Sequence, residues 1–258
     1  MSQSLPEALA SFQPGLPLLV ALSGGADSTA LLLACADKWP GGVCAIHVHH
    51  GLQAAADDFE LNCRRVCDSL SVPLRVLRID ASHAPGQSPE DAARRARYLA
   101  LRAAVQDPSA PPVSSVALAH HADDQVESLL LALSRGAGLP GLSAMPARWQ
   151  RDGVDYHRPL LTVPGSEVRA WLQRRGLAFV DDPSNTDQRF TRNRIRARLL
   201  PVLAELSLAD TAKDISNAGA IGTALMLTEC SRVGAVIDPL AIPRPEGVPL
   251  QRWLQTFP

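Results

Sequence analysis

The sequence predicts an α/β protein in which the first 145 residues form a doubly wound parallel sheet, followed by a small and mainly helical part. Two observations carry this prediction. Short apolar segments alternate with longer amphipathic segments, as they do in successive βαβ units. Polar or glycine-rich stretches follow three of the apolar segments, at the strand ends where such sheets place their binding sites.

The elements follow one another regularly along the chain. We expect strands at 16–22, 42–50, 73–79 and 112–120, each followed by a helix, at 27–38, 55–70, 89–106 and 122–135. The segment RGAGLPGL after the last of these helices is a predicted loop. A further helix is expected between a cap at Ser166 and a stop at Gly176, and a final one in the arginine-rich segment RFTRNRIRARLLPVL.

Composition shifts along the chain suggest three parts. We predict a first domain at 1–145, a linker and arginine-rich helical extension at 146–207, and an atypical tail at 208–258. The tail is set apart because charged residues become sparse and prolines accumulate there.

The composition is that of a globular protein of the cytoplasm. The chain has 258 residues, of which 46% are hydrophobic, enough to bury a sizeable core. Its five cysteines match neither a zinc ribbon nor a disulfide framework, which favours a reducing, cytoplasmic compartment. The N-terminal residues lack the features of a signal peptide, and no apolar run approaches the roughly 20 residues of a membrane span.

A net charge of −1 conceals a strongly basic block. The segment RFTRNRIRAR, residues 189–198, contains arginines and no acidic residue. The planar arginine fork suits phosphate recognition, so we assign Arg192, Arg194 and Arg196 to a nucleic-acid backbone or a nucleotide phosphate. A solvated helix face is the alternative interpretation.

The segment ALSGGADSTALLLA, residues 21–34, interrupts an apolar pattern with glycines and hydroxyl side chains. A strand that ends in Ser-Gly-Gly before a helix offers free backbone N–H groups at the positive end of the helix dipole. No lysine follows as in a Walker loop, and no dinucleotide fingerprint is present. Asp27 would repel a phosphate unless Mg²⁺ bridged them. A plain helix cap and tight turn is the alternative.

The segment HHADDQVE brings acidic residues to a predicted helix start. Asp124 and Glu127 are three residues apart and therefore share one face, where two carboxylates suit an ammonium group. The alternative is an ordinary acidic first turn that complements the helix dipole.

Several motifs in order resemble a known family. SGGADS is similar to the SGGxDS pyrophosphate loop of the N-type ATP pyrophosphatases, which have the adenine nucleotide alpha hydrolase-like fold and cleave ATP between its α and β phosphates. Over residues 14–206 the further motifs, in order and spacing, resemble the tRNA(Ile)-lysidine synthetases. These motifs are HVHHGL, PEDAARRARY, HHADDQVES, RGAGLPGL and DPSNTDQRFTRNRIR.

The resemblance implies an ATP-dependent carbon–nitrogen ligase that acts on a minor isoleucine tRNA with a CAU anticodon. ATP would adenylate the C2 carbonyl oxygen of the wobble cytidine, and the ε-amine of free lysine would then displace AMP. Whether the enzyme is a homodimer stays open.

The resemblance also assigns roles to residues. It implies that ATP is bound by Ser23, Gly24, Gly25, Ala26, Asp27, Ser28, His50, His121 and Asp123. Asp27 would also hold Mg²⁺, and Asp124 and Glu127 would bind lysine; these three are the expected catalytic residues. Arg94 or Arg97 would lie near nucleotide phosphates or the tRNA, although Glu90 and Arg94 are also spaced for an ordinary surface ion pair.

Two other functions are alternatives. A tRNA thiolase of the same superfamily would generally need a cysteine pair, often spaced CxxC, and this sequence has none. A truncated or fused, non-catalytic protein is the second, because KDISNAG in the tail resembles a motif in the C-terminal domain of AIR-synthase-related proteins.

Overall fold

The computed structural model describes residues 3–49, 56–79, 89–137, 143–176, 179, 187–188 and 191–205. The chain forms two compact units. The first contains Met1–Gln125 and Pro146–Asn185, and the second contains Val126–Met145 and Thr186–Pro258. The sequence-based boundaries at 145 and 207 stay predictions, and the predicted tail lies outside the described residues.

The first unit is built on a six-stranded sheet. Its strands are β1 (Leu18–Ala21), β2 (Val43–His49), β3 (Leu74–Arg78), β4 (Ser115–Ala117), β5 (Arg148–Arg151) and β6 (Val154–His157). Their order is β3-β2-β1-β4-β6-β5, with every pair parallel except β5 and β6. The chain moves outward from β1 to β3 and returns to β4, so the β1–β4 junction is a switch point. The predicted α/β fold is confirmed.

Helices connect the strands as expected. In the first unit they are α1 (Leu5–Ser11), α2 (Ala26–Lys38), α3 (Ala56–Leu70), α4 (Pro89–Gln106), the start of α5 (Ala122–Ser134) and α6 (Gly165–Arg174). The second unit contains the rest of α5, followed by α7 (Thr191–Arg194), a π-helical turn (Ile195–Leu199) and α8 (Leu200–Glu205). The predicted arginine-rich helix is therefore present, interrupted by one wide turn. No helix within the described ranges is long and apolar enough to cross a membrane.

Alternating side chains of the strands form two apolar layers. Leu18 and Val20 of β1 pack on one face with residues of α1, α2, α3 and α6. Leu19, between them, packs on the other face with Leu101 of α4 and Tyr156 of β6. This period of two gives the sheet two apolar faces, each covered by helices, and the parallel order of the strands brings their carboxyl ends to one edge.

Three local features differ from the prediction. Helix α1 was not predicted, although Ser4 and Glu7 form a capping box at its start. The β5–β6 hairpin was also missed. The predicted cap at Ser166 is wrong, because Pro164 occupies the N-cap position with φ −61° and the helix begins at Gly165, without a side-chain cap. The stop is confirmed, since Gly176 has φ +68°.

Candidate active site

The loop between β1 and α2 lies at the switch point of the sheet. Its shape is set by Ser28, whose Oγ accepts a hydrogen bond from the Ser23 backbone N–H at 3.1 Å and lies 2.9 Å from the Ser23 hydroxyl oxygen. The Ser28 hydroxyl also donates to the Gly25 carbonyl at 3.1 Å. Gly25 is the N-cap of α2 and has no side chain to occupy the free N–H groups, so they stay available for an anion.

Glycine at position 24 is required by helix α3. Gly24 has φ +92°, and a Cβ there would lie 3.1 Å from Phe59 and 3.3 Å from the Cys63 sulfur. The Asn62 side-chain amide donates to the Gly24 carbonyl at 3.1 Å. Close packing against α3, together with the positive φ, therefore accounts for this glycine.

Three carboxylates surround His121 at the start of α5. The His121 Nε2 atom lies 3.6 Å from Asp27 and 3.7 Å from Asp124, and its Nδ1 lies 3.9 Å from Asp123. Asp124 also accepts a hydrogen bond from the His121 backbone N–H at 2.9 Å. Burial opposes the charged imidazolium, but the carboxylates of Asp27, Asp124 and Asp123 outweigh it and raise the pKa of His121.

Two buried atoms of this cluster have unused hydrogen-bonding capacity. Within the described part of the chain, neither Asp27 Oδ1 nor His121 Nδ1 has a hydrogen-bond partner. Asp27 is also less exposed than its place at a helix start suggests, with 32% of its side chain accessible. An unsatisfied buried carboxylate oxygen is costly unless a ligand uses it.

Helix α6 begins directly against this cluster. A Cβ at Gly165 would lie 2.8 Å from the Asp123 carboxylate and 2.9 Å from the His121 ring. Only glycine therefore leaves room for both side chains at this position. Nothing in the sequence pattern distinguished Gly165 as a site residue, because its neighbours are distant along the chain.

A cleft of about 210 Å³ opens beside the loop. It is lined by Ala21, Leu22, Ser23, Gly25, Asp27, Ser28, Ile46, Val48, Arg97, Leu118, Ala119 and His120. The structure thus brings together four of the predicted ATP-binding residues and Arg97. It adds His120, which was not among the predicted site residues. Arg94 lies over the ring of Tyr98, with its guanidinium carbon 5.6 Å from the ring centre.

In the second unit, Glu127 and Arg196 form an ion pair. The Arg196 Nε and one terminal nitrogen each lie 2.7 Å from Glu127 Oε1. Glu127 is 1% exposed, whereas 39% of the Arg196 side chain is accessible. The predicted lysine ligand and one predicted phosphate ligand are therefore partners of each other. Arg194 is exposed and donates to the Thr191 hydroxyl at 2.9 Å.

Some predicted site residues have little structural description. His50 lies outside the described residues, as does the side chain of Glu90. Ala26 is buried at the first position of α2, and Asp123 is about half exposed. Arg192 is partly buried in α7.

Comparison with known proteins identifies the class to which this fold and loop belong. A family model described as a PP-loop domain matches residues 2–203. Among solved structures, the U34-tRNA thiolase NcsA from Methanococcus maripaludis superposes with a TM-score of 0.62 over 88% of this chain and 77% of that chain. Its sequence identity is 14%, so the similarity concerns the fold alone.

Curated relatives of this chain belong to one group of PP-loop proteins. The tRNA(Ile)-lysidine synthase of Polaromonas naphthalenivorans is 53% identical, with 93% of this chain and 75% of the relative covered. Those of Methylococcus capsulatus and Pseudomonas aeruginosa are 43% and 46% identical. Those two matches cover 93% and 79% of this chain, which spans 52% and 46% of the two relatives, about half of their length.

The chain belongs to the PP-loop family and, within it, to the tRNA(Ile)-lysidine synthases. The Polaromonas match covers 93% of this chain and so includes part of the segment after residue 207.

Proposed function

We propose that this chain catalyses the reaction implied by its family: ATP-dependent ligation of free lysine to the wobble cytidine of an isoleucine tRNA with a CAU anticodon. The C2 carbonyl oxygen of the cytidine attacks the α-phosphate of ATP and pyrophosphate leaves. The lysine ε-ammonium loses a proton, the free amine then attacks C2, and AMP leaves. The observation that carries the proposal is the cleft beside the Ser23–Ser28 loop, where Asp27 has a buried oxygen without a partner.

The loop is the proposed pyrophosphate site. Free N–H groups at the start of α2 are donors, and the helix dipole favours negative charge. The hydroxyls of Ser23 and Ser28 hydrogen-bond within the loop and would donate to a phosphate after turning toward it. Arg97, which lines the same cleft, supplies positive charge for a phosphate. Donors held in place before the reaction stabilise the charge that develops as pyrophosphate leaves.

Asp27 is the proposed ligand of Mg²⁺. Its buried, unpartnered Oδ1 fits a cation, because carboxylate oxygen is a preferred ligand of Mg²⁺. The described residues contain no group of three histidine, cysteine or acidic side chains that would hold a metal alone. Phosphate oxygens would therefore complete the coordination, and the ion would supply charge stabilisation at the phosphates.

Asp124 and Glu127, one turn apart on α5, are the proposed ligands of the lysine ammonium. Each already has a partner, the His121 backbone N–H for Asp124 and the Arg196 guanidinium for Glu127. We infer that Arg196 holds the Glu127 carboxylate in a fixed orientation for this role.

The reaction belongs in the cytoplasm, where tRNA, ATP and lysine occur together. The four cysteines among the described residues are free thiols, as expected in a reducing compartment.

Incorporation of radiolabelled lysine tests the function directly. Unmodified isoleucine tRNA with a CAU anticodon should become labelled only when the chain, ATP and Mg²⁺ are all present. The same tRNA with another wobble base is the matched control and should stay unlabelled. Absence of label, despite a folded chain that binds ATP, would contradict the proposal.

A further inference from the structure

Arg158, directly after β6, is a buried arginine held by neutral groups. It is 3% exposed, and no carboxylate among the described residues forms an ion pair with it. Its Nε donates to His120 Nδ1 at 3.2 Å, and its terminal nitrogens donate to the Pro146 carbonyl at 2.9 Å and the Tyr98 hydroxyl at 3.4 Å. The guanidinium also stacks on Trp149, 3.8 Å from the ring centre. Asp124 attracts the guanidinium electrostatically but does not pair with it directly. Burying a charge without a direct opposite partner is costly, so this arrangement needs a reason.

The contact with Arg158 decides which nitrogen of His120 carries the proton. A guanidinium has only donors, so His120 Nδ1 must accept and cannot itself bear a proton. A neutral imidazole then carries its proton on Nε2. A protonated ring would place two N–H groups against each other.

The surroundings keep His120 neutral. Burial lowers its pKa, and Arg158, Arg94 and Arg97 act in the same direction, whereas Asp124 opposes them. These groups come from α4, from the chain after β6 and from the start of α5. With Nδ1 occupied, Nε2 is the ring nitrogen that remains for a ligand.

His120 also lines the cleft, together with Ser23 and Asp27 of the β1–α2 loop. We infer that Arg158 is a positioning residue that holds His120 as the Nε2–H tautomer, so that His120 donates a hydrogen bond to an oxygen of the nucleotide. The nucleotide as ligand rests on the proposed function; the tautomer does not. A neutral donor gives a contact that persists across the physiological pH range.

Nitrogen NMR of the full chain labelled with ¹⁵N-histidine tests the tautomer. The His120→Gln variant assigns the signals. We expect a pyridine-type Nδ1 and a pyrrole-type Nε2, with no titration between about pH 5.5 and 8. In Arg158→Met both tautomers should appear. The matched control is Arg148→Met, an exposed arginine of the same hairpin that pairs with Asp155; it should leave the His120 signals unchanged.

A wild-type spectrum with the proton on Nδ1, or a His120 that titrates at its ordinary pKa, overturns the inference. This result decides the matter even where Arg158→Met does not fold, because it needs no variant at position 158.

Calorimetric binding of a non-hydrolysable ATP analogue with Mg²⁺ tests the contact. The side-chain amide of His120→Gln reaches the position of Nε2 and can donate there. That of His120→Asn reaches only the position of Nδ1, where it still accepts from Arg158. We expect His120→Asn to weaken binding about tenfold and His120→Gln clearly less, because one hydrogen bond is lost in the first variant.

Equal losses in the two variants overturn the donor role of His120. Failure of the wild-type chain to bind the analogue overturns the proposed function and the nucleotide contact together. The NMR result is then still interpretable, so the two failures are distinguishable.

Discussion

His120 and His121 are consecutive residues, yet the two sides of the β4–α5 turn shift their pKa values in opposite directions. On the carboxylate side, Asp27, Asp123 and Asp124 surround His121 and raise its pKa despite burial. On the arginine side, burial and the cations Arg158, Arg94 and Arg97 lower the pKa of His120. Two adjacent and identical side chains thus have pKa values shifted in opposite directions, upward for His121 and downward for His120.

The difference indicates that the two sides of one cleft bind groups of opposite charge. The carboxylate side carries negative charge that can hold a metal ion or an ammonium group, whereas the arginine side and the loop favour an anion. ATP with Mg²⁺ needs both kinds of surface, and the turn between β4 and α5 places them on adjacent residues.

The largest effect should follow from removing the carboxylate of Asp27. We expect Asp27→Asn to lower ATP-dependent pyrophosphate release by about 100-fold or more, because a metal ligand contributes several kcal/mol of charge stabilisation. Asp37→Asn is the control, since Asp37 lies on the same helix but pairs with Arg175 on the surface. Near wild-type release by Asp27→Asn at saturating ATP and Mg²⁺ would contradict the assignment of Asp27.

A tenfold or greater rise in KM for lysine is expected from Asp124→Asn or Glu127→Gln. Each substitution keeps the shape of the side chain but removes its negative charge, and a charge-assisted hydrogen bond is worth about 1.5 to 3 kcal/mol. The affinity for ATP should change little, which initial rates at varied lysine and varied ATP will separate. If ATP affinity collapses while the lysine dependence stays the same, these carboxylates belong to the nucleotide site.

Smaller effects are expected for the arginine block. Arg194 is exposed, so Arg194→Ala should lower the magnitude of the salt slope of tRNA binding by roughly 1. Arg196→Ala should in addition raise KM for lysine, because it leaves Glu127 without the guanidinium. The triple variant with Arg192→Ala should combine both losses.

Filter binding at several salt concentrations measures these slopes, with the exposed Arg135→Ala as the control. An unchanged slope and normal activity in the triple variant would make these residues ordinary surface arginines.

Much of this architecture follows from local sequence patterns. The four strand–helix units were predicted because apolar periodicity and glycine stops are local signals. The β5–β6 hairpin also had a signal, since Asp152-Gly153 separates alternating apolar residues such as Trp149 and Tyr156. Helix α1 also had a local signal, the capping box of Ser4 and Glu7.

The partners within the site could not be predicted in the same way. Arg158 contacts His120 from 38 residues away, and Arg196 contacts Glu127 from 69 residues away. Tertiary packing alone brings these side chains together, and no spacing rule encodes it. For the same reason the sequence did not distinguish the two histidines, whose charges depend on these distant neighbours.

The smallest effect, which tests the contrast between His120 and His121 most directly, is expected in the free energy of unfolding as a function of pH. It is measured without nucleotide and with EDTA. A raised pKa means that His121 stabilises the folded chain below the ordinary value of 6.5, and this contribution is lost as pH rises through the folded pKa. His120 has a lowered pKa, so below pH 6.5 the unfolded chain binds a proton at His120 and the folded chain does not, and the stability of the folded chain falls.

Urea unfolding followed by tryptophan fluorescence should therefore give opposite trends for two variants. As pH falls from 8 to 6, His121→Gln should lose stability relative to wild type and His120→Gln should gain it, each by at most about 1.4 kcal/mol per pH unit. Trends of the same sign would mean that the two histidines share one environment.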